Sequence, residues 1–125
     1  MIGYVTLGTN DLARGAVLWD ALAAELGVGR MMDTQTFIAW GVPGGAAGVG
    51  LTKPFDGAPA RPGNGVMVAL EARDRAQVDR LHAIALAHGG ADEGAPGDRG
   101  GGFYAAYFRD LDGNKLNAFV MAPDA

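Results

Sequence analysis

The stretch Gly102-Phe-Tyr-Ala-Ala-Tyr-Phe-Arg-Asp-Leu-Asp-Gly-Asn-Lys-Leu-Asn-Ala-Phe-Val-Met121 decides how the rest of the chain is read. Its two ends are strand-like and its middle is a turn. Phe103 to Arg109 is rich in aromatic and small residues. Lys115 to Met121 alternates, with Leu116, Ala118 and Val120 on one face and Lys115, Asn117 and Phe119 on the other. Between them, Asp110-Leu-Asp-Gly-Asn114 is turn chemistry: Asp and Asn side chains accept from nearby amides, and Gly113 takes a positive φ at little cost. Alone, this is an ordinary hairpin. If its register pairs Tyr107 with Asn117, then Phe103, Ala105, Tyr107 and Arg109 share the face of Asn117. A slip of one residue brings in Tyr104 and Phe108 instead.

The hairpin closes the second of two similar halves. Residues 3–8 alternate as a strand, with Val5 and Leu7 on one face and Tyr4 and Thr6 on the other. Asn10-Asp11 starts a helix that runs to about Leu26, where Gly27 stops it. Leu12, Gly15, Ala16, Trp19, Leu22, Ala23 and Leu26 form its apolar stripe. Short strands are predicted at about 30–32, 36–41 and 46–53. Residues 54–64 hold three prolines and two glycines and read as a linker. The first pattern then returns: a strand from Gly65 to Leu70, and a helix from Arg73-Asp74 to Gly89-Gly90 with Val78, Leu81, His82, Ala85 and Leu86 inward. A loop with a short strand fills 91–102. Asp11 to Asp74 sets an offset of 63, which also places Val5 on Val68, Leu7 on Leu70, Leu18 on Leu81 and Gly27 on Gly90. The expected fold is therefore α+β, with two tandem βαβββ modules in residues 1–125. Module one covers about 1–54, the linker 55–64 and module two about 65–122. Neither half alone buries both sides of its sheet, so the helix-bearing sides are expected to be buried together.

Composition narrows the function. Of 125 residues, 49% are hydrophobic and 19% charged, a globular balance. The formal charge is −4 and no basic cluster stands out, which argues against nucleic acid and anionic membrane as partners. With no cysteine there is no disulfide and no thiolate ligand or nucleophile. There is no serine, so no Ser/His/Asp set. No leader pattern or span of transmembrane length is visible, and a cytoplasmic protein is expected. The only histidines are His82 and His88, six apart on one helix and so not on one face. By the offset, His82 stands where Trp19 stands in the first half, which suits a packing residue. Asp20, Glu25, Asp79, Asp92, Glu93 and Asp98 read as solvated.

The repeat, together with Phe108-Arg-Asp-Leu-Asp-Gly-Asn-Lys-Leu116, resembles the vicinal oxygen chelate superfamily over roughly residues 2–122. That superfamily includes glyoxalase I, extradiol dioxygenases and the bleomycin-resistance proteins. The resemblance implies an incompletely closed, eight-stranded barrel-like sheet, around a cavity, in a homodimer. It also implies metal ligands on the first and last strands of each module. Those positions here are Tyr4, Met67, Asn117 and a residue near Gly50, none of them His, Asp or Glu. Methionine and neutral amide or phenol groups are poor partners for divalent cations without carboxylates beside them.

The expected function is accordingly binding of a small organic molecule, with no metal and no cofactor. Its site would be Tyr4, Thr6, Met67, Tyr107, Arg109, Asn117 and Phe119, an amphipathic lining suited to an organic ligand. Lys53, Arg109 and Lys115 are candidates to hold an anionic group. The same spacing also suits a filled core. The alternative is an enzyme: a metal-dependent glyoxalase-type lyase, isomerase or dioxygenase relative with an atypical site, or a metal-free catalyst using Tyr4 or Glu71. A third reading is an interaction protein whose sheet serves only to dimerise. Whether the modules pair within one chain or between chains stays open.

Overall fold

A computed structural model describes residues 1–121. The predicted end of module two, residue 122, lies just outside them. The order is β1 (Tyr4–Gly8), α1 (Leu12–Glu25), β2 (Gly29–Asp33), β3 (Phe37–Gly41), β4 (Gly48–Thr52), then β5 (Val68–Glu71), α2 (Arg75–Ala87), β6 (Ala91–Asp98), β7 (Phe103–Arg109) and β8 (Lys115–Met121). The strands form two sheets of four, ordered β1-β4-β3-β2 and β5-β8-β7-β6, and do not close into a barrel. The two orders are the same permutation, so each half is one βαβββ unit. Residues 53–67 between them carry no helix or strand.

Both helices begin on the aspartate that the offset pairs. Asp11 accepts from the Arg14 amide at 3.1 Å and Asp74 from the Gln77 amide at 2.8 Å, each satisfying a free first-turn donor. The six stripe residues of α1 from Leu12 to Ala23 are buried, and Leu18 joins them; Leu26 is half-buried. In α2, Val78, Leu81, His82 and Ala85 are buried, but Leu86 is exposed on the outer side. The second module's first strand starts three residues later than predicted, because Gly65 and its neighbours form a turn. The predicted loop at 91–102 is mostly an eight-residue strand, β6. Its register shifts at Asp92/Gly94 and again before Gly97, which breaks the two-residue period that would have revealed it.

Leu18 and Leu81, equivalent in the repeat, are both fully buried, and α1 packs on α2. The helix-bearing sides of both sheets feed one continuous core. Among the described residues, no strand of one sheet comes within 8 Å, Cα to Cα, of a strand of the other. The modules are instead tied at two places. At the helix ends, the Glu25 carboxylate accepts from Gln77 at 3.0 Å and from Arg80 at 2.8 Å. At the β7–β8 turn, Asn114 donates to the Gly8 carbonyl at 2.9 Å, and Asp112 accepts from the Asn10 amide at 2.9 Å.

Candidate functional site

The hairpin register pairs Tyr107 with Asn117 and Ala105 with Phe119. Phe103, Ala105, Tyr107 and Arg109 therefore lie on the side away from α2. Tyr104, from the other parity, donates instead to Asp79 of α2 at 2.6 Å. The turn is built as its residues predict. Gly113 has φ +84°, and Asp110 accepts from the amides of Asp112 and Asn114.

On the second sheet β5 pairs with β8 in parallel, setting Ala69 beside Asn117 and Glu71 beside Phe119. Its helix-free face thus carries Ala69 and Glu71, with Met67 just before β5, then Lys115, Asn117 and Phe119, and then Tyr107 and Arg109. Phe103 and Phe119 stack with ring centroids 5.6 Å apart. Asn117 is 1% exposed, and its side-chain oxygen has no hydrogen-bond partner. A buried acceptor without a partner is costly and rare, so it marks a place where a donor is missing.

On the first sheet the same face carries Tyr4 and Thr6 of β1, Gly50 of β4 and Phe37 of β3, with Thr6 beside Gly50 and Gly50 beside Ala39. Tyr4 and Phe37 meet edge to face, their centroids 6.1 Å apart. Phe37 lies over Gly50: a Cβ there would meet its ring at 2.5 Å. The seven predicted site residues thus fall on two separate faces. Tyr4 and Thr6 are on the first sheet, and the other five are on or beside the second. Lys53 follows β4, far along the chain from Arg109 and Lys115, and lines a different surface depression. Phe37 joins the first face through the β3–β4 register, which sets Ala39, two residues on, beside Gly50. Arg99 joins the second face; nothing in the local pattern pointed to it.

A groove of about 600 Å³ runs along the free edge of β5. Val5, Leu22, Leu26, Trp40 and Val42 form one wall, and Met67 to Glu71 the other. Glu71, predicted at a strand end, is exposed there.

The acidic residues are less free than predicted. Asp20 holds Arg30 and accepts from Trp40 Nε1 at 2.8 Å, and the Arg30 contact draws its carboxyl below the usual range. Glu93 is held down by Arg109, and Asp92 by His82 at 3.0 Å. Asp98 pairs with Arg75. Sequence spacing missed these pairs because each joins residues on different elements: Asp20–Arg30 and Asp92–His82 are ten apart across a helix-to-strand turn, and Glu93–Arg109 and Asp98–Arg75 are 16 and 23 apart.

The profile of the Glyoxalase/Bleomycin resistance protein/Dioxygenase superfamily matches residues 2–118. The chain belongs to this superfamily. A glyoxalase/bleomycin resistance protein from Albidiferax ferrireducens is 38% identical, with 95% of this chain and 97% of that one covered and a TM-score of 0.86. A hypothetical protein from S. aureus is 27% identical over 94% of this chain and 91% of that one, with a TM-score of 0.74. A lactoylglutathione lyase from Agrobacterium tumefaciens shares the fold at 19% identity, covering 95% and 92% of the two chains, with a TM-score of 0.68. Comparison with curated proteins gives no match.

The resemblance implied metal positions at Tyr4, Met67, Asn117 and a residue near Gly50, and strand pairing singles out Gly50 as the last of them. Gly50 lies beside Thr6 as Asn117 lies beside Ala69, and Thr6 and Ala69 are 63 apart, so Gly50 is the counterpart of Asn117. The four positions hold Tyr4, Gly50, Met67 and Asn117. This set offers a divalent cation no carboxylate and no imidazole, and it does not fit one. Among the described residues, no three His, Cys, Asp or Glu side chains gather into a metal-binding group. No helix among them is long and apolar enough to cross a membrane.

Proposed function

We propose that this superfamily member binds a small organic molecule without a resident metal, between the first-sheet face of one copy and the second-sheet face of another. The observation that carries the reading is the unpartnered oxygen of buried Asn117, beside Tyr107 and Ala69 and on the same face as Phe119. Aromatic surface with one unsatisfied acceptor suits an organic ligand that brings its own donor.

The second copy enters through the strand edges. Each sheet has two. Two of the four edges are protected: β2 is bulged and bears the ion-paired Arg30, and β6 has two register shifts and Pro96. Such devices prevent strand addition. β1 and β5 have neither bulge nor proline, and exposed apolar residues flank both, Ile2 and Tyr4 at one and Val66 and Met67 at the other. They cannot meet within a chain whose helices pack together between the sheets. A second copy related by a two-fold axis joins β1 to β5 twice, fills the groove beside β5 and turns the two half-sites into cavities.

The test has two arms. Sedimentation gives oligomeric mass, and a dimer that dissociates when Met67→Lys is introduced is expected. Elemental analysis with melting curves in Zn²⁺, Ni²⁺, Mn²⁺ and Fe²⁺ tests the metal, since a cation bound only to the native state raises the melting temperature. A monomer overturns the composite cavity, and one equivalent of tightly held metal overturns the metal-free site.

A further inference from the structure

The second-sheet face is cationic at one end, although the chain as a whole is acidic. Arg99 folds back across β6, donating Nη1 to the Gly97 carbonyl at 2.9 Å and Nη2 to the Ala95 carbonyl at 2.7 Å. Its guanidinium stands 5.5 Å from the centre of the Tyr107 ring. Gly94 and Gly97 make the room, because a Cβ at either would meet the guanidinium at 3.2 or 3.0 Å. The cation is thus fixed in place by backbone bonds and by two missing side chains. Lys115 Nζ approaches the same ring at 5.6 Å. Arg109 stands beside it on the strand pair.

Among the described residues, one carboxylate pairs with any of these three cations. Glu93 sits closely on Arg109 and reaches Lys115 at only 3.8 Å. Among the described residues no carboxylate lies within 4 Å of Arg99. Glu71 lies on the same face but beside Phe119, at the opposite end. The face therefore runs from a cationic end at Tyr107, past the orphan acceptor of Asn117 and the Phe103–Phe119 stack, to an acidic end.

We propose that the ligand is a monocarboxylate with a planar apolar body. Its carboxylate sits at the cationic end beside the Tyr107 ring, drawn by Arg99 from the β6 side and by Lys115 from the β8 side, its body lies on Phe119, and an N–H or O–H along it reaches Asn117 as the side chains covering that oxygen part. A guanidinium held ready by its own backbone bonds loses little freedom on binding an anion, and a low-dielectric cavity strengthens the contact. Glu71 would repel a second negative charge at the far end. This inference rests on the ligand-binding reading above and names the class of molecule.

Calorimetric titration of the intact protein with 6-hydroxy-2-naphthoate and with its neutral amide separates the two ideas. The acid is expected to bind at least about tenfold more tightly than the amide, with an advantage that shrinks as salt is raised. In the Arg99→Met, Lys115→Met double variant the advantage should fall below about twofold. Equal affinity for acid and amide, or an advantage that survives in the double variant, overturns the anion site and leaves the binding cavity standing. Failure of both probes to bind at millimolar concentration overturns both.

Discussion

Trp19 Nε1 donates to Asp110 Oδ2 at 3.2 Å in a buried hydrogen bond between residues 91 positions apart. Trp19 belongs to the first module's helix and Asp110 to the second module's hairpin turn, so this one bond joins the two halves of the repeat. The same carboxylate oxygen accepts from Asn114 Nδ2 at 3.0 Å, and the other oxygen from two backbone amides. Trp19 also stacks on Trp40, with centroids 5.8 Å apart. One side chain of the turn thus sets both the hairpin's shape and the seat of α1.

Asp110→Ala should leave four donors facing no acceptor and cost about 3 kcal/mol or more in urea unfolding. Trp19→Phe keeps a ring in the stack and removes only the N–H, at about 1 kcal/mol. If Asp110→Ala costs less than Trp19→Phe, the turn is not the junction between the modules.

Two carboxylates should respond to pH in opposite directions. Burial pushes the Asp110 carboxyl above its ordinary value, partly held back by Asn114 and Trp19. Its folded pKa is raised, so its contribution to stability is greatest in acid and declines as pH rises through that value. Glu25 is lowered, first by Arg80 and then by Gln77. Its contribution is present above the ordinary value of 4.5 and is lost as pH falls below it. The stability of wild type relative to Asp110→Asn should therefore grow from pH 7 to about 4, while that relative to Glu25→Gln should shrink. Parallel trends would contradict the assignments.

Asn117→Leu should be neutral or stabilising by about 1 kcal/mol in the free protein, because it removes a buried acceptor that has no donor. The same change should weaken ligand binding about tenfold or more. Loss of stability with unchanged binding would mean that Asn117 is structural.

Gly50→Ala puts a methyl where the Phe37 ring now lies, with the nearest ring carbon 2.5 Å from the new Cβ. The ring must swing toward Tyr4, at a cost of about 1–3 kcal/mol. Aromatic NMR shifts of Phe37 and Tyr4 should move together. An unmoved Phe37 spectrum with full stability would show that Gly50 is not packed under the ring.

Much of this protein was legible in short stretches of chain. The helix stripes, the aspartate caps, the Asp110–Asn114 turn and the 63-residue repeat all appear as patterns among near neighbours, because helix and strand periods are set by backbone geometry. The resemblance to the superfamily pointed to Tyr4, Met67 and Asn117 as the implied ligand positions, and left their counterpart near Gly50 to strand pairing. β6 escaped because Gly94, Pro96 and Gly97 interrupt its period, and Leu86 was misplaced because it sits at the boundary of its helix's apolar stripe.

What the sequence determined was the order of the elements other than β6, the internal duplication and, through the resemblance to the superfamily, that Tyr4, Met67 and Asn117 stand at the implied ligand positions. Only the tertiary structure decided that the two sheets do not close on each other, that Tyr4 and Asn117 lie on separate faces, and that Arg99 reaches Tyr107. Each of these depends on contacts between residues distant in the chain, which side-chain packing selects and local periodicity does not encode.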